Sequence, residues 1–290
     1  MTKQVALITG ASSGMGKAAA LRFQAAGYTV FAGARHVDRM QDLKAHGIHV
    51  LKLDITSETD NAAFVQAALD TAGRIDVLIN NAGYGSMGAI EDVAPAEAKR
   101  QFEVNVFGAL NLTQLVLPTM RRQHFGKIIN NSSIGGQLYS PLGGWYYASK
   151  HALETLSDAL RLEVKPFGID VIIIEPGGTA TNWQKIANDH MLAATPTDSA
   201  YRHLVEVVAH GSDQMTFKAT GDDIAQLMLK AVQARRPKTR YQLTFADKMA
   251  VIAARKLSYR TFDTLINLSM RMLDRSATKA STKAPKTANQ

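Results

Sequence analysis

The 290-residue chain contains no cysteine, which excludes disulfide bonds and zinc sites built on thiolates. It also lacks any run of the roughly 20 apolar residues that a membrane-spanning helix needs. Its eight histidines show no metal-ligand spacing, since His203 and His210 stand seven residues apart without partner ligands. We therefore expect no metal site. No apolar signal segment precedes the first predicted strand, so we expect the protein in the cytoplasm.

Acidic residues are scarce in one part of the chain only. Residues 235–290 hold 13 Lys and Arg against 3 Asp and Glu, whereas residues 1–234 hold 20 against 22. The body shows no basic nucleic-acid motif, so we expect no nucleic-acid partner. From Asp247 to Leu273 apolar residues recur at helical spacing, which predicts an amphipathic helix. A basic amphipathic helix can lie on an anionic membrane surface, but packing on the body or on a second subunit is favoured here because the helix has few aromatic anchors.

Strand and helix signals alternate along the chain. This alternation predicts an α/β fold, a doubly wound Rossmann-type parallel sheet with helices on both faces. Seven strands are predicted, at 5–9, 29–34, 49–54, 77–80, 127–132, 170–175 and 241–244, with long helices at about 95–122 and 145–165. We expect a catalytic domain over 1–245, a helical extension over 246–275 and a disordered basic tail over 276–290.

A glycine-rich stretch follows the first predicted strand and opens a helix. Its glycines, Gly10, Gly14 and Gly16, have the spacing G-x-x-x-G-x-G. A strand, a glycine loop and a helix form the context of a dinucleotide site, because the backbone can approach the pyrophosphate and the helix N-terminus faces it. The residues predicted to bind the cofactor here are Gly10, Ser12, Ser13, Gly14, Met15 and Gly16.

The end of the second predicted strand indicates which dinucleotide binds. An acidic residue there would hold the ribose 2′-hydroxyl of NAD, whereas an arginine accommodates the 2′-phosphate of NADP. Ala34 occupies the acidic position and Arg35 follows it, so NADP(H) is predicted over NAD(H). In the alternative interpretation, Arg35 is a solvated residue that opens the next helix. Asp54 and Ile55, after the third strand, are expected beside the adenine.

Tyr146 and Lys150 stand four residues apart in a predicted helix, and this spacing places them on one face. A lysine ammonium near a phenol favours the phenolate, so we expect Lys150 to lower the pKa of Tyr146. A tyrosine tuned in this way can act as a general acid or base. Many helices carry such a pair as a surface contact, but here the chain also has a nucleotide site. Tyr147 would lie on a different helix face from Lys150.

Taken together, the motifs resemble the short-chain dehydrogenase/reductase family, in its short single-domain branch. The resemblance covers about the first 245 residues and includes the glycine loop, residues 80–83, Asn105, Ser133, the Tyr146 and Lys150 pair, Pro176, Gly177 and Thr181. Residues 105–108, 153–156 and 175–178 are similar to the group that contains hydroxysteroid and retinol dehydrogenases. The resemblance implies a homodimer or homotetramer, formed through helices that include the one with the tyrosine.

The resemblance also implies roles for four residues. Tyr146 would exchange a proton with the substrate oxygen, and Lys150 would lower the pKa of Tyr146 and bind the nicotinamide ribose. Ser133 would hydrogen-bond the substrate oxygen, and Asn105 would hold a water that relays the proton. Ser133 is preferred over its neighbour Ser132 because it lies thirteen residues before Tyr146. The further cofactor contacts that the resemblance implies are Asn81, Ala82, Gly83, Pro176, Gly177 and Thr181.

The interval 182–220 has no strand character, and the family closes its active site with a segment here, so we expect a substrate lid. Its large apolar residues are Trp183, Met191, Leu192, Tyr201, Leu204, Val205, Val208, Met215 and Phe217, and the opposite wall could contain Leu138, Tyr139, Leu142 and Trp145. The same side chains could equally be core or interface. An apolar pocket favours a lipophilic carbonyl or alcohol, such as a steroid or retinoid.

The sequence therefore predicts an NADP(H)-dependent oxidoreductase, a carbonyl reductase or alcohol dehydrogenase that acts on a hydrophobic small molecule. Reduction of a ketone develops negative charge on oxygen, and a hydroxyl, a phenol and a fixed cation can meet that charge without a metal. The alternative is a non-catalytic NADP-binding regulatory protein on the same fold.

Overall fold

A computed structural model of the chain describes residues 3–181, 183–213 and 218–283. It contains a seven-stranded parallel sheet in the order β3-β2-β1-β4-β5-β6-β7. The strands are β1 (Val5–Thr9), β2 (Thr29–Ala34), β3 (His49–Lys52), β4 (Val77–Asn80), β5 (Gly126–Asn131), β6 (Ile169–Ile174) and β7 (Arg240–Tyr241). The order reverses between β1 and β4, which is the switch point where such sheets bind ligands. The predicted Rossmann-type fold is confirmed.

Helices cover both faces of the sheet. They are α1 (Gly14–Ala25), α2 (Gln41–Ala45), α3 (Glu58–Ala72), α4 (Pro95–Phe102), α5 (Ala109–Gln123), α6 (Gly144–Val164), α7 (Trp183–Ala194), α8 (Arg202–Asp213), α9 (Gly221–Gln233), α10 (Phe245–Lys256) and α11 (Tyr259–Lys283). A π-helical segment, Glu103–Gly108, joins α4 to α5. None of the helices that the structure describes is long and apolar enough to cross a membrane.

The central strands β1, β4 and β5 are buried throughout and mostly apolar because each of them is covered on both sides. In β1, Ala6 and Ile8 face a core shared with α1 and α9, which includes Phe23 and Met228. Val5 and Leu7 face the opposite core, shared with α3 and α5. The period of two along the strand thus divides its side chains between two cores.

β5 and β6 are shifted by one residue from their predicted bounds, whereas β3 and β7 end two and three residues early because polar side chains begin the next turn or helix. β3 stops at Lys52, and Asp54 then accepts hydrogen bonds from the backbone and hydroxyl of Thr56 at 3.1 and 2.8 Å. β7 stops at Tyr241 because Thr244 caps α10 in a capping box with Asp247. A residue that caps a helix marks the start of that helix, so the strand must end before it.

The C-terminal region also differs from the predicted single helix over 247–273. Two helices are present, and Leu257 has extended backbone angles where α10 ends. Ser258 then accepts a hydrogen bond from the backbone of Thr261 at 3.3 Å, which starts α11. α11 runs to Lys283, so the helix passes the expected boundary at 275. Residues 284–290 of the expected disordered tail lie outside the described residues.

Candidate active site

The glycine loop packs tightly against the turn that follows β4. Gly10 has φ of +67°, and a Cβ there would lie 2.8 Å from the Cα of Ala82. A Cβ on Gly16 would collide with the carbonyl of Gly10 and the amide of Asn81. Gly14 also has positive φ, +55°, with Thr181 as its nearest neighbour. Side chains at these positions would fill the cradle, so the loop keeps its backbone open to a ligand.

Thr9, at the end of β1, fixes this turn in place. Its hydroxyl accepts hydrogen bonds from the backbone N–H groups of Asn81 and Ala82, at 3.0 and 2.9 Å. The side chain of Asn81 in turn donates to the carbonyls of Thr9 and Gly10, at 3.0 and 3.3 Å. Buried hydrogen bonds of this kind lock the two strand ends together, and Thr9 was not among the predicted site residues.

Asn131, the last residue of β5, links the glycine loop to the predicted catalytic lysine. Its amide donates to Oδ1 of Asn81 at 2.9 Å, and its carbonyl accepts from Nζ of Lys150 at 2.9 Å. Asn131 was not among the residues predicted for the site. The signal was present, since an asparagine at the end of a buried strand directly precedes Ser132 and Ser133.

Tyr146 and Lys150 lie one turn apart on α6, and both are buried. Burial lowers the pKa of Lys150 to about 8, and the nearby carboxylate of Glu154 opposes this shift. A Cβ on Gly83 would lie 3.6 Å from the lysine Nζ, so the turn after β4 passes directly beside the ammonium. The predicted juxtaposition of lysine, tyrosine and cofactor loop is therefore present in the fold.

The pKa of Tyr146 moves in the direction opposite to the one expected from the helix spacing. Burial raises the pKa of Tyr146 to about 12, and a hydrogen bond with Ser133 opposes the rise only in part. The ammonium of Lys150 donates to the Asn131 carbonyl at 2.9 Å. Burial of the phenol decides the direction of the pKa shift of Tyr146, which the sequence could not show because spacing says nothing about solvation.

Ser132 and Tyr147, the neighbours of the predicted catalytic residues, form hydrogen bonds with other partners. The hydroxyl of Ser132 donates to Glu154 at 2.8 Å, whereas Ser133 interacts with Tyr146. The hydroxyl of Tyr147 pairs with Ser140 at 2.9 Å. The geometry thus brings Ser133 and Tyr146 together and leaves Ser132 and Tyr147 with structural partners.

Asn105 lies in the π-helical segment and has both ends of its amide engaged. Its Oδ1 accepts from the backbone N–H of Tyr84 at 3.0 Å, and its Nδ2 donates to the Tyr84 carbonyl at 2.9 Å and to Ser149 Oγ at 3.0 Å. Ser149 is adjacent to Lys150 on α6. The side chain therefore joins the loop after β4 to the helix with the tyrosine, and the water relay expected of Asn105 stays a prediction.

The predicted contacts at the adenine side lie at the ends of β2 and β3. Arg35 directly follows β2 and is exposed, whereas Ile55 is buried with its carbonyl against Gly108. Burial works to raise the pKa of Asp54, but hydrogen bonds from Thr56 and the positive charges of Arg35 and Arg100 bring it below its usual value. Arg35 is therefore close enough to Asp54 for their charges to interact.

The residues after β6 close the opposite side of the site. The carbonyl of Pro176 accepts from the hydroxyl of Ser133 at 3.3 Å and from the backbone of Ile134 at 2.9 Å. Gly177 lies against the carboxylate of Asp247, with no room for a side chain. Thr181 approaches Gly14, so this segment reaches back to the glycine loop.

Most of the apolar side chains of the expected lid pack against one another. Met191 and Val205 are fully buried in a cluster with Ala89, Leu142 and Ala209, to which Leu192, Tyr201, Leu204 and Val208 add. Trp183 is different, because its ring lies 5.3 Å from that of Tyr146 and fills the space beside Gly85. Met215 and Phe217 lie outside the described residues. The described lid is thus largely a small core of its own, with one aromatic ring directed at the tyrosine.

A buried ionic network lies beneath Ser132 and was missed from the sequence. Glu154 and Glu175 are both buried, and Arg240 lies 3.3 and 3.1 Å from them. Burial, and then the charge of Glu154, raise the pKa of Glu175 to about 7. The network ties α6, β6 and β7 together directly behind the site.

Comparisons with known proteins agree with this geometry. The family model described as short chain dehydrogenase matches residues 4–192. A probable short-chain type dehydrogenase/reductase, VdlC of Helicobacter pylori, is 36% identical over 270 residues, which cover 91% of this chain and 97% of that protein. The 3-ketodihydrosphingosine reductase of Bacteroides thetaiotaomicron is 40% identical over 200 residues, 69% of this chain and 73% of that protein.

Solved structures show the same architecture. A short-chain dehydrogenase from Streptomyces avermitilis is 30% identical with a TM-score of 0.76, over 97% of this chain and all of that one. A Burkholderia phymatum short-chain dehydrogenase/reductase in complex with NAD is 25% identical, TM-score 0.75, over 86% of this chain and 92% of that one. A metagenomic short-chain oxidoreductase in complex with NADP is 27% identical, TM-score 0.64, over 83% and 98%.

Proposed function

Because the chain belongs to the short-chain dehydrogenase/reductase family of oxidoreductases, we propose that it interconverts a carbonyl compound and its alcohol with NADP(H). The proposed substrate is a hydrophobic ketone, aldehyde or alcohol. The observation that supports this most strongly is the convergence of Ser133, Tyr146 and Lys150 at the edge of the sheet. Asn131 connects Lys150 to Asn81 through two hydrogen bonds of 2.9 Å, and Asn81 in turn donates to the carbonyl of Gly10 at 3.3 Å.

The residues present fit a dinucleotide. Gly10 and Gly16 keep open a cradle that a Cβ would fill, and α1 begins directly after it with no acidic residue in its first turn. The related structures include complexes with NAD and with NADP, so kinship alone leaves the cofactor open. Arg35 supports NADP(H), because it is exposed after β2 and the acidic position holds Ala34.

Tyr146 would act as the proton donor in the reductive direction. When bound, the cofactor supplies the hydride that adds to the carbonyl carbon. Since its pKa is about 12, the phenol is protonated at neutral pH and can donate to the oxygen on which charge develops. Ser133 lies beside it and would hydrogen-bond the same oxygen.

Lys150 would hold positive charge beside the reacting groups and bind the nicotinamide ribose. With a pKa of about 8, it is largely protonated at neutral pH although it is buried. Its bond to the Asn131 carbonyl fixes the direction of the ammonium. The same position lies next to Gly83, whose lack of a side chain leaves space for the cofactor.

The preference for a lipophilic substrate is supported by the apolar lid and by Trp183. The indole lies beside the tyrosine ring, tilted by 51°, and next to Gly85, so a substrate at Tyr146 must contact or displace it. One relative is named as a reductase of the keto compound 3-ketodihydrosphingosine. A panel of long-chain keto compounds, steroids and retinoids therefore has priority over small polar ketones.

We also propose a homodimer or homotetramer. Phe107, Leu156 and Leu162 are 57%, 42% and 69% exposed on the π-helical segment and α6. Exposed apolar side chains on long helices favour a helix-to-helix subunit contact. Sedimentation velocity of the purified chain, compared with Leu162→Asp, tests this: the variant should shift toward monomer.

The decisive experiment offers the purified protein NADPH and NADH with the substrate panel and follows absorbance at 340 nm. Turnover with NADPH, with lower kcat/KM for NADH, supports the proposal. NADPH binding measured by fluorescence, together with no turnover of any compound, would favour the regulatory protein instead. A preference for NADH would overturn the assignment of Arg35.

A further inference from the structure

α10 and α11 each carry an exposed apolar stripe, and we call the two stripes together the C-terminal surface. Its residues are Phe245, Met249, Ile252, Leu265, Leu268 and Met272. Each is between 45% and 77% exposed. The first three are spaced i, i+4, i+7 on α10, and the last three i, i+3, i+7 on α11, so each trio occupies one side of its helix.

Positive charges flank both stripes. Lys248 and Lys256 are exposed on α10, and Arg271 and Arg275 are exposed next to the α11 stripe. Within the described residues, no salt bridge neutralises Lys248, Lys256 or Arg271. The C-terminal fifth holds 13 basic against 3 acidic residues, whereas the rest of the chain is nearly neutral. An apolar stripe bordered by cations is typical of a helix that lies in an anionic lipid interface.

The opposite side of α11 is already used. Phe262 is buried and packs edge-on against Tyr139, with ring centroids 5.1 Å apart, and Asp263 accepts from the Tyr139 hydroxyl at 2.8 Å. Leu273 packs against Gly211 of α8. Tyr139 belongs to the loop before the catalytic helix, and α8 belongs to the lid. The helix therefore contacts both expected walls of the substrate site and turns its apolar stripe outward.

We propose that the C-terminal surface docks on an anionic phospholipid bilayer and thereby holds the lid and the mouth of the substrate site against the membrane. The charge of the region favours this occupant over a second copy of the chain. In a two-fold contact the same basic surface would meet itself, and like charges would oppose association. A lipid surface rich in anionic headgroups meets the cations instead, while the apolar side chains enter the acyl boundary.

Docking does not depend on the proposed substrate, so it is measured without one. The full chain is incubated with vesicles of phosphatidylglycerol and phosphatidylcholine, or of phosphatidylcholine alone, and bound protein is recovered by flotation. We expect binding to the anionic vesicles only, and a loss of binding in 0.5 M NaCl. Arg260 is a third exposed arginine of α11. The triple variant R260Q/R271Q/R275Q should bind roughly 100-fold more weakly, at about fivefold per basic residue near the surface.

The apolar stripe is tested with L265S/L268S/M272S, which should also lose vesicle binding. A matched control is I90S/F167S, which removes two exposed apolar side chains, 69% and 39%, outside both the surface and the lid. Circular dichroism and NADPH binding establish that each variant is folded. The proposal is overturned if the stripe variant floats as the unchanged chain does, or if neutral vesicles bind equally well. It is also overturned if sedimentation velocity shows that the stripe variant splits an oligomer, since the stripe is then a subunit interface.

Discussion

The carboxyl edge of the sheet and the helices after residue 183 are built in different ways. At the sheet edge, the polar side chains of Thr9, Asn81 and Asn131 hold neighbouring strand ends with hydrogen bonds of 2.9 to 3.3 Å. In the expected lid, the side chains of Met191 and Val205 contribute apolar contacts. Hydrogen bonds specify direction and distance, whereas apolar contacts tolerate substitution of similar volume. The edge can therefore determine the reaction, and the lid and C-terminal helices can determine which compound reaches it.

The largest expected effect is on the reaction at the sheet edge, and it comes from removal of the Tyr146 hydroxyl. Tyr146→Phe should lower kcat by about 10³-fold, because a positioned proton donor contributes roughly 10² to 10⁴. NADPH affinity should stay within about threefold, since the change removes only the phenolic oxygen. Tyr147→Phe is the matched control, because its hydroxyl pairs with Ser140 at 2.9 Å. Equal losses in the two variants would contradict the assignment.

Arg35 tests whether the same edge also selects the cofactor. Arg35→Ala should lower the preference for NADPH over NADH by about 10 to 100-fold, the cost of losing charge-assisted hydrogen bonds to a phosphate. The measurement is kcat/KM for each cofactor at saturating substrate. Lys44→Ala removes one exposed positive charge from α2 and serves as the control. If Arg35→Ala leaves the preference for NADPH over NADH unchanged, Arg35 is a solvated residue that does not select the cofactor.

Trp183 tests whether the lid selects the substrate while the sheet edge carries out the reaction. Trp183→Ala should change the ratio of kcat/KM between bulky and small carbonyl substrates by about tenfold, because the indole occupies space beside Tyr146. Unlike Tyr146→Phe, it should leave kcat for small substrates nearly unchanged. Ile186→Ala, an exposed residue of the same helix, is the control. If Trp183→Ala lowers turnover of all substrates equally, the indole supports the tyrosine and does not select substrates.

The smallest expected effect is on the stability of the protein, and it comes from the buried carboxylates behind the sheet edge. The pKa of Glu175 is raised to about 7, so the folded state holds a proton there that the unfolded state releases above about 4.5. The free energy of unfolding should therefore fall as pH rises from about 4.5 to 7, by on the order of 1 kcal/mol. Glu175→Gln should flatten this slope, and exposed Glu163→Gln should not. Urea titrations at pH 5, 6, 7 and 8 measure it, and equal slopes in all three proteins would contradict the prediction.

The fold was predictable because its signals are local. The apolar runs of β1, β2 and β4 and the glycine loop each lie within a few residues, and the structure has these three strands at the predicted bounds. The ends of β3 and β7 could not be predicted in this way, because the side chains of Asp54 and Thr244 form hydrogen bonds that begin a turn and a helix. Helix spacing placed Tyr146 near Lys150, but it could not show how deeply the phenol is buried.

The residues that hold the reactive groups in place were harder to predict from the sequence than the reactive groups themselves. Asn131 acts through Asn81 and Lys150, which are 50 and 19 residues away in the chain. Arg240 reaches Glu154 across 86 residues. A single sequence contains no sign of such long-range pairs. The lid was ambiguous for the same reason, since apolar side chains that pack together and those that line a pocket have the same composition.

The central claim is hydride transfer from the cofactor to a carbonyl carbon beside Tyr146. It is tested most directly with two NADPH samples, each labelled with deuterium on one face of the nicotinamide C4, and a ketone turned over by the unmodified protein. Mass spectrometry of the alcohol should find one deuterium on the former carbonyl carbon with only one of the two samples. An alcohol that carries no deuterium with either sample, or no alcohol from any ketone of the panel, would contradict the account.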